Sequence, residues 1–399
     1  MMDETLEVFT GNFTQQEPIS EAGIAAAVAV MRSGRLHRYN IAPGEIDETA
    51  ALEVDFATYT GARYCLAVAS GGYAMRCALR ALGVAPGERV LTNAFTLAPV
   101  PGAIAALGAE PVLVETTEDL VIDLEDFADK ATTAGAKVLL LSHMRGHICD
   151  MDRLMEIASA AGITVVEDCA HTMGAAWRGT PSGRFGAVGC YSTQTYKHMN
   201  SGEGGLIVSD DPVLMARMIL ISGSYMLYHR HRAAPGPDYF ETAKYQMPNV
   251  SGRMDNLRAA ILRPQIAELP DRAARWNGLY RALEAGLSAA PGLRLIPRPQ
   301  DEAFVGSSFQ FLLPGWEAAR IQGLVARCAA RGVELKWFGA AEPVAFTSRH
   351  QSWRYAPAQN LPRTDRLLSA LLDLRLPLTF HEADAVAIAR ILDAELRRS

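Results

Sequence analysis

From about residue 62 to residue 208, short apolar runs alternate with longer stretches in which apolar positions recur every three or four residues. Residues 64–69 (YCLAVA) are apolar and too short for a helix, whereas 71–82 has helical spacing. The same pair of patterns returns at 89–91 and 97–107, and 111–114 adds a further extended run. Residues 137–142 and 163–166 are apolar runs separated by the helical pattern 151–160. Such a rhythm predicts βα units wound on both faces of a mostly parallel sheet, an α/β fold. Ligands of these sheets lie beyond the carboxyl ends of the strands. The residues falling there are Ser70, Gly71 and Gly72, then Asn93 to Thr96, His143, and Glu167 with Asp168.

The rhythm fades after residue 209. A helix is predicted over 212–221, then an irregular stretch from 222 to 249 that contains HRHR; a loop of that length in a compact chain is usually functional or disordered. Residues 253–269 read as one long helix. From about 277 to 399, helical patterns alternate with β-like runs at 307–313 and 333–338, which predicts a smaller α+β domain. No internal repeat or low-complexity tract interrupts this order.

With 399 residues, 49% hydrophobic and 21% charged, the chain has ample material for a large core. Its net charge of −6 and the lack of a basic stripe argue against a nucleic-acid partner. No apolar run approaches the ~18 residues of a membrane helix, and the acidic first residues lack the basic and apolar regions of a secretory signal. The six cysteines are scattered without CxxC pairs, as expected of reduced thiols in a cytoplasmic enzyme.

Lysine is scarce, with five in the chain, so lysine chemistry has few candidates. Lys197 stands between Ser192 and the turn Ser201-Gly202-Glu203-Gly204-Gly205. A lysine that forms an imine must be neutral part of the time, which burial achieves, and a glycine-rich turn lets the chain pass close to a flat cofactor. The plainer reading is a surface lysine before a hairpin. Asp168 ends an apolar run and can pair with a protonated pyridine nitrogen, with His171 close by; it can equally cap the next helix. Ser70 to Tyr73 lead into a helix whose free N–H groups favour a phosphate, and Ser192 can add its hydroxyl. Phe95 can stack on a planar ring or simply fill core. His143 and His147 lack the glutamate and third ligand of a zinc motif, so no metal is predicted.

These features fall in order on consecutive strand ends, and together they resemble the DegT/DnrJ/StrS family of fold-type I aminotransferases, which use pyridoxal 5′-phosphate (PLP). The resemblance covers most of the chain. It rests on SGG at 70–72, AFTLAP at 94–99, HMRGHICDMD at 143–152, EDCAHTMGA at 167–175, YSTQTYKHMNSGEGG at 191–205, RMDNLRAAI at 253–261 and LPRTDRLLSALLDLRLPL at 361–378. It implies that Lys197 forms the Schiff base and shuttles the proton, that Asp168 holds the pyridinium nitrogen, and that Phe95 stacks on the ring. Ser192 and the backbone from Ser70 to Tyr73 would hold the phosphate. His171 stands where the family often has glutamine, and Gly72 where it usually has threonine. Two residues before Arg253 the family commonly has an asparagine that reaches into the neighbouring subunit's site; Ser251 occupies that place here and Asn249, slightly earlier, is assigned the contact, so a homodimer with shared sites is implied. His229 and Arg230 are candidates for substrate binding or an exposed charged loop.

The implied layout is an N-terminal segment and large PLP-binding domain over 1–265, with a small C-terminal domain over 266–399. The implied partners are an amino donor, glutamate or glutamine, and a keto-sugar, keto-cyclitol or related acceptor. Three rivals stay open: a sugar dehydratase, whose relatives carry histidine at the lysine position; a silent scaffold of the same fold; and a PLP lyase or decarboxylase.

Overall fold

The computed structural model describes residues 7–345 and 347–398. Its central sheet takes β1 (Tyr64–Val68), β2 (Arg89–Asn93), β3 (Glu110–Val114), β4 (Val138–Ser142) and β5 (Thr164–Asp168). A small hairpin of β6 (Ala176–Trp177) and β7 (Thr180–Pro181) follows, before β8 (Val188–Ser192) and β9 (Gly205–Ser209) complete it. The order across the sheet is β1-β9-β8-β5-β4-β2-β3. Pairing is parallel except where β9 runs against both of its neighbours, β1 and β8.

Central strands covered on both faces must be apolar throughout, and β4 (VLLLS) is buried at every position. Its side chains alternate between two cores: Val138 and Leu140 join one hydrophobic cluster, Leu139 and Leu141 the other. The helix Gly71–Ala81 follows β1 and is capped by Ser70, whose Oγ accepts from the Tyr73 N–H at 3.1 Å. Met151–Ala161 is capped likewise by Asp150 and stops at Gly162 in the left-handed region, φ 66°.

The second sheet comes from later in the chain. It has β10 (Arg294–Leu295), then, after β11 (Glu302–Ala303) pairs with β6, β12 (Ser308–Leu312), β13 (Lys336–Trp337) and β14 (Leu371–Arg375), in the antiparallel order β10-β12-β14-β13. Phe309, Phe311, Leu372 and Leu374 lie in the same cluster as Leu139 and Leu141, so the two sheets share one core.

Two expectations change. The helix predicted over 253–269 is two helices, Asn256–Leu262 and Gln265–Leu287. Asp255 caps the first by accepting from the Arg258 N–H, and Pro264 separates them because it has no N–H to continue the ladder. The stretch 222–249 is not wholly irregular: it holds a single turn at Tyr228–Arg230 and a short helix at Asp238–Glu241. All six cysteines are buried and unpaired, and no helix among the described residues is long and apolar enough to cross a membrane.

Candidate active site

The carboxyl ends of β1, β4, β5 and β8 open on a cavity of about 280 Å³ with a smaller one of about 80 Å³ adjoining it; Gly71, Gly72, His171, Ser192 and Lys197 line both. Asp168 lines the smaller, and Gln194, Tyr196, Arg145 and Arg375 the larger.

Successive strand residues face opposite ways, so Glu167 and Asp168 have different tasks. Glu167 turns away and accepts hydrogen bonds from the N–H groups of Gly183, Phe185 and Gly186, with His143 Nε2 at 3.0 Å. Asp168 turns to the cavity. Its Oδ2 accepts from Ser142 Oγ at 2.8 Å, which in turn accepts from Thr96 Oγ1 at 2.8 Å, and its Oδ1 accepts from the Ala170 N–H. Asn93 pins Ser142 from both sides, accepting its N–H and donating to its carbonyl. Burial pushes the Asp168 carboxyl above its usual range, against the hydrogen bond from Ser142 and the charge of Lys197. A buried carboxylate so placed calls for a cationic donor.

Lys197 sits on the loop between β8 and β9, with Nζ 2.8 Å from His171 Nε2. Burial brings its pKa down to about 7; Asp168 opposes the shift, and Arg145 and Arg375 reinforce it. Burial, then Lys197 and Arg145, also hold His171 well below the usual histidine range. The Arg145 N–H donates to His171 Nδ1 at 3.4 Å, which assigns the proton to Nε2. In its neutral form the Lys197 amine can accept from the Nε2–H of the neutral imidazole.

The phosphate end is equally specific. The first N–H groups of the helix at Gly71 have no partner within the helix, and Ser192 lies against them. A Cβ on Gly71 would come within 2.8 Å of Ser192 Cβ, so only glycine leaves this cradle open. Acidic, basic and helix-terminal elements thus match in chemistry the pyridinium, aldehyde and phosphate of PLP.

Several sequence assignments change. Phe95 does not face the cavity: it is 1% exposed and packs edge-on against Phe338, ring centroids 5.1 Å apart. Beyond β2 the chain leaves the sheet, the Phe95 N–H donates to Thr116 Oγ1, and Leu97 lines the cavity instead. The Tyr73 N–H, expected among the phosphate donors, is already bonded to Ser70 Oγ at 3.1 Å, and its hydroxyl donates to the carbonyls of Val250 and Ile221. Asn249 is exposed beside Gly223 and does not line its own chain's cavity, which leaves its expected contact with a neighbouring subunit's site as it stood. His229 and Arg230 are exposed and line neither cavity; the buried member of HRHR is His231, 3.1 Å from Glu53, which also takes a two-bond contact from Arg38. His147 bonds Gln310 and not His143. Arg145 and Arg375 had gone unnoticed, although Arg145 follows the end of β4, where the strand-end rule points.

The comparisons with known proteins bear on this arrangement. The curated dTDP-3-amino-3,4,6-trideoxy-alpha-D-glucose transaminase of Streptomyces venezuelae is 31% identical over 381 residues, 93% of this chain and 90% of that protein. The 3-amino-5-hydroxybenzoate synthase of Amycolatopsis mediterranei is 30% identical over 72% of each. A crystal structure of 3-amino-5-hydroxybenzoic acid synthase superposes with a TM-score of 0.83 and 26% identity, over 99% of this chain and 100% of that one. The fold is therefore that of the fold-type I PLP enzymes. The chain belongs to the DegT/DnrJ/EryC1/StrS aminotransferase family, whose model matches residues 19–393, and it is an aminotransferase.

Proposed function

We propose that this aminotransferase holds PLP on Lys197 and moves an amino group from glutamate or glutamine to a keto-sugar, keto-cyclitol or related carbonyl compound in a biosynthetic route. The observation that carries the reading is the pairing of a buried lysine, its pKa near 7, with a buried carboxylate on the same small cavity. When bound, PLP supplies an electron sink for the bond broken at the donor α-carbon. Asp168 would hold the ring nitrogen protonated, fixed in place by Ser142 and Thr96. His171, its proton on Nε2, would donate to the ring oxygen, and the N–H groups of Gly71 and Gly72 with Ser192 would hold the phosphate. Lys197, which lines both cavities, would take a proton from the donor α-carbon and give it back in the second half of the reaction.

The family resemblance supports a homodimer with sites completed across the interface by Asn249 or Ser251, and a cytoplasmic location. It also supports a division into a PLP-binding domain over 1–265 and a small domain over 266–399. The substrates are tested by presenting the purified enzyme with amino donors and keto acceptors, following the visible Schiff-base band and the mass of the aminated product. Aminated product from an acceptor of this class supports the reading; repeated turnover of an amino acid with no acceptor present, beyond one equivalent per site, would make the enzyme a lyase or decarboxylase.

A further inference from the structure

Arg145 and Arg375 reach the large cavity from different parts of the fold. Arg145 belongs to the turn after β4 and is a non-glycine residue in the left-handed region, φ 56°, a strained conformation that persists where surrounding structure enforces it and clusters at binding sites. Its side chain is 7% exposed, with Nη2 2.9 Å from Asp373 Oδ2. Its Nε is buried with no hydrogen-bond acceptor among the described residues, while Nη2 has the Asp373 ion pair. Asp373 and Arg375 are two residues apart on β14 and so share a face. Gln310, opposite Asp373 on β12, donates to its Oδ1 at 2.7 Å and fixes the carboxylate that holds Arg145. Arg375 stacks on Tyr196, the neighbour of Lys197, with its guanidinium carbon 3.7 Å from the ring centre. Lys336 lies across the ladder from Asp373 and is not among the residues lining the cavity.

We propose that Arg145 and Arg375 form a carboxylate-binding site, so that a substrate of this enzyme is held by a carboxylate at the end of the cavity built by the second sheet. The assignment rests on the aminotransferase reading and names the substrate chemistry that reading leaves open. Two guanidiniums at one partly buried site repel, and a carboxylate between them turns that repulsion into charge-assisted hydrogen bonds of matched planar geometry. Asp373 neutralises one of the pair. The carboxylate can belong to the amino donor or to the keto acceptor, and experiment separates the two.

PLP-loaded enzyme is titrated by calorimetry with benzoate and with benzamide, its uncharged counterpart, and mixed with L-glutamine and with L-glutaminamide while the visible band is followed. The variants are Arg145→Gln and Arg375→Ser, with Arg145→Gln/Asp373→Asn to remove both buried charges should the single change fail to fold. If the site reads the donor, the variants slow the L-glutamine reaction at least tenfold more than that of L-glutaminamide, whichever way the loss of the two charges near Lys197 moves both rates. If it reads the acceptor, benzoate binding weakens at least tenfold, benzamide binding does not change, and the L-glutamine and L-glutaminamide reactions change by the same factor. Benzoate affinity and donor rates that match wild type in every variant would overturn the site. A wild-type protein that shows no visible band with PLP would instead sink the aminotransferase reading on which it rests.

Discussion

An amine that must be charged in water and neutral in its site loses stability by being buried, and Lys197 is in that position. Its folded pKa near 7 lies below the ordinary 10.5, so the unfolded chain binds more protons between those values and stability rises with pH across that window. The cost of burial is full below pH 7 and gone above about 10.5. In the cofactor-free protein, Lys197→Met is expected to be more stable than wild type by on the order of 3 kcal/mol at pH 8, with the gap closing toward pH 10.5, as read from denaturant midpoints. A pH-independent difference would mean that the amine is not held neutral. Lys197, Asp168, His171 and Ser192 were legible because each lies within a few residues of a strand end and carries its own chemistry. Arg145 and Arg375 were not, since what brings them together is the contact of Arg145 with Asp373, 228 positions away in the chain. Phe95 misled because periodicity stops where β2 stops: past Asn93 the backbone turns, and Leu97 rather than Phe95 meets the cavity.

At the scale of elements, the phosphate cradle depends on how closely the start of the helix Gly71–Ala81 approaches the end of β8. Gly71→Ala would drive a Cβ to within 2.8 Å of Ser192 Cβ and 3.3 Å of its Cα. PLP affinity is expected to fall at least tenfold in that variant, measured by fluorescence titration of the cofactor-free protein, whereas a Cβ at Gly72 meets only Pro99 Cβ at 3.7 Å and should cost less. Equal losses at both positions would show that the cradle is not set by this contact. Strands β1 to β5 and the helix Gly71–Ala81 were legible from their alternation and spacing to within a residue or two, but β8 was not read as a strand. The reversed strand β9 was not, because a fully buried strand is apolar at every position whichever way it runs. The long helix over 253–269 failed for a local reason: apolar spacing continues through Pro264, but the hydrogen-bond ladder does not.

At the scale of the molecule, the cavity lies where two sheets share a core, and the Arg145–Asp373 ion pair joins the turn after β4 to β14 across it. A sequence read segment by segment yields both sheets but not the angle at which they meet, so the far wall of the cavity stayed hidden. The proposed homodimer predicts a solution mass of twice 43.1 kDa by light scattering at working concentration, and a monomeric mass would contradict it. The central claim, that Lys197 bears the cofactor, is tested most directly by the visible spectrum of the protein reconstituted with PLP. Wild type should show a Schiff-base band that bleaches on addition of its amino donor, and Lys197→Ala should show neither band nor transamination. A band and amino-group transfer that persist in Lys197→Ala would contradict the account.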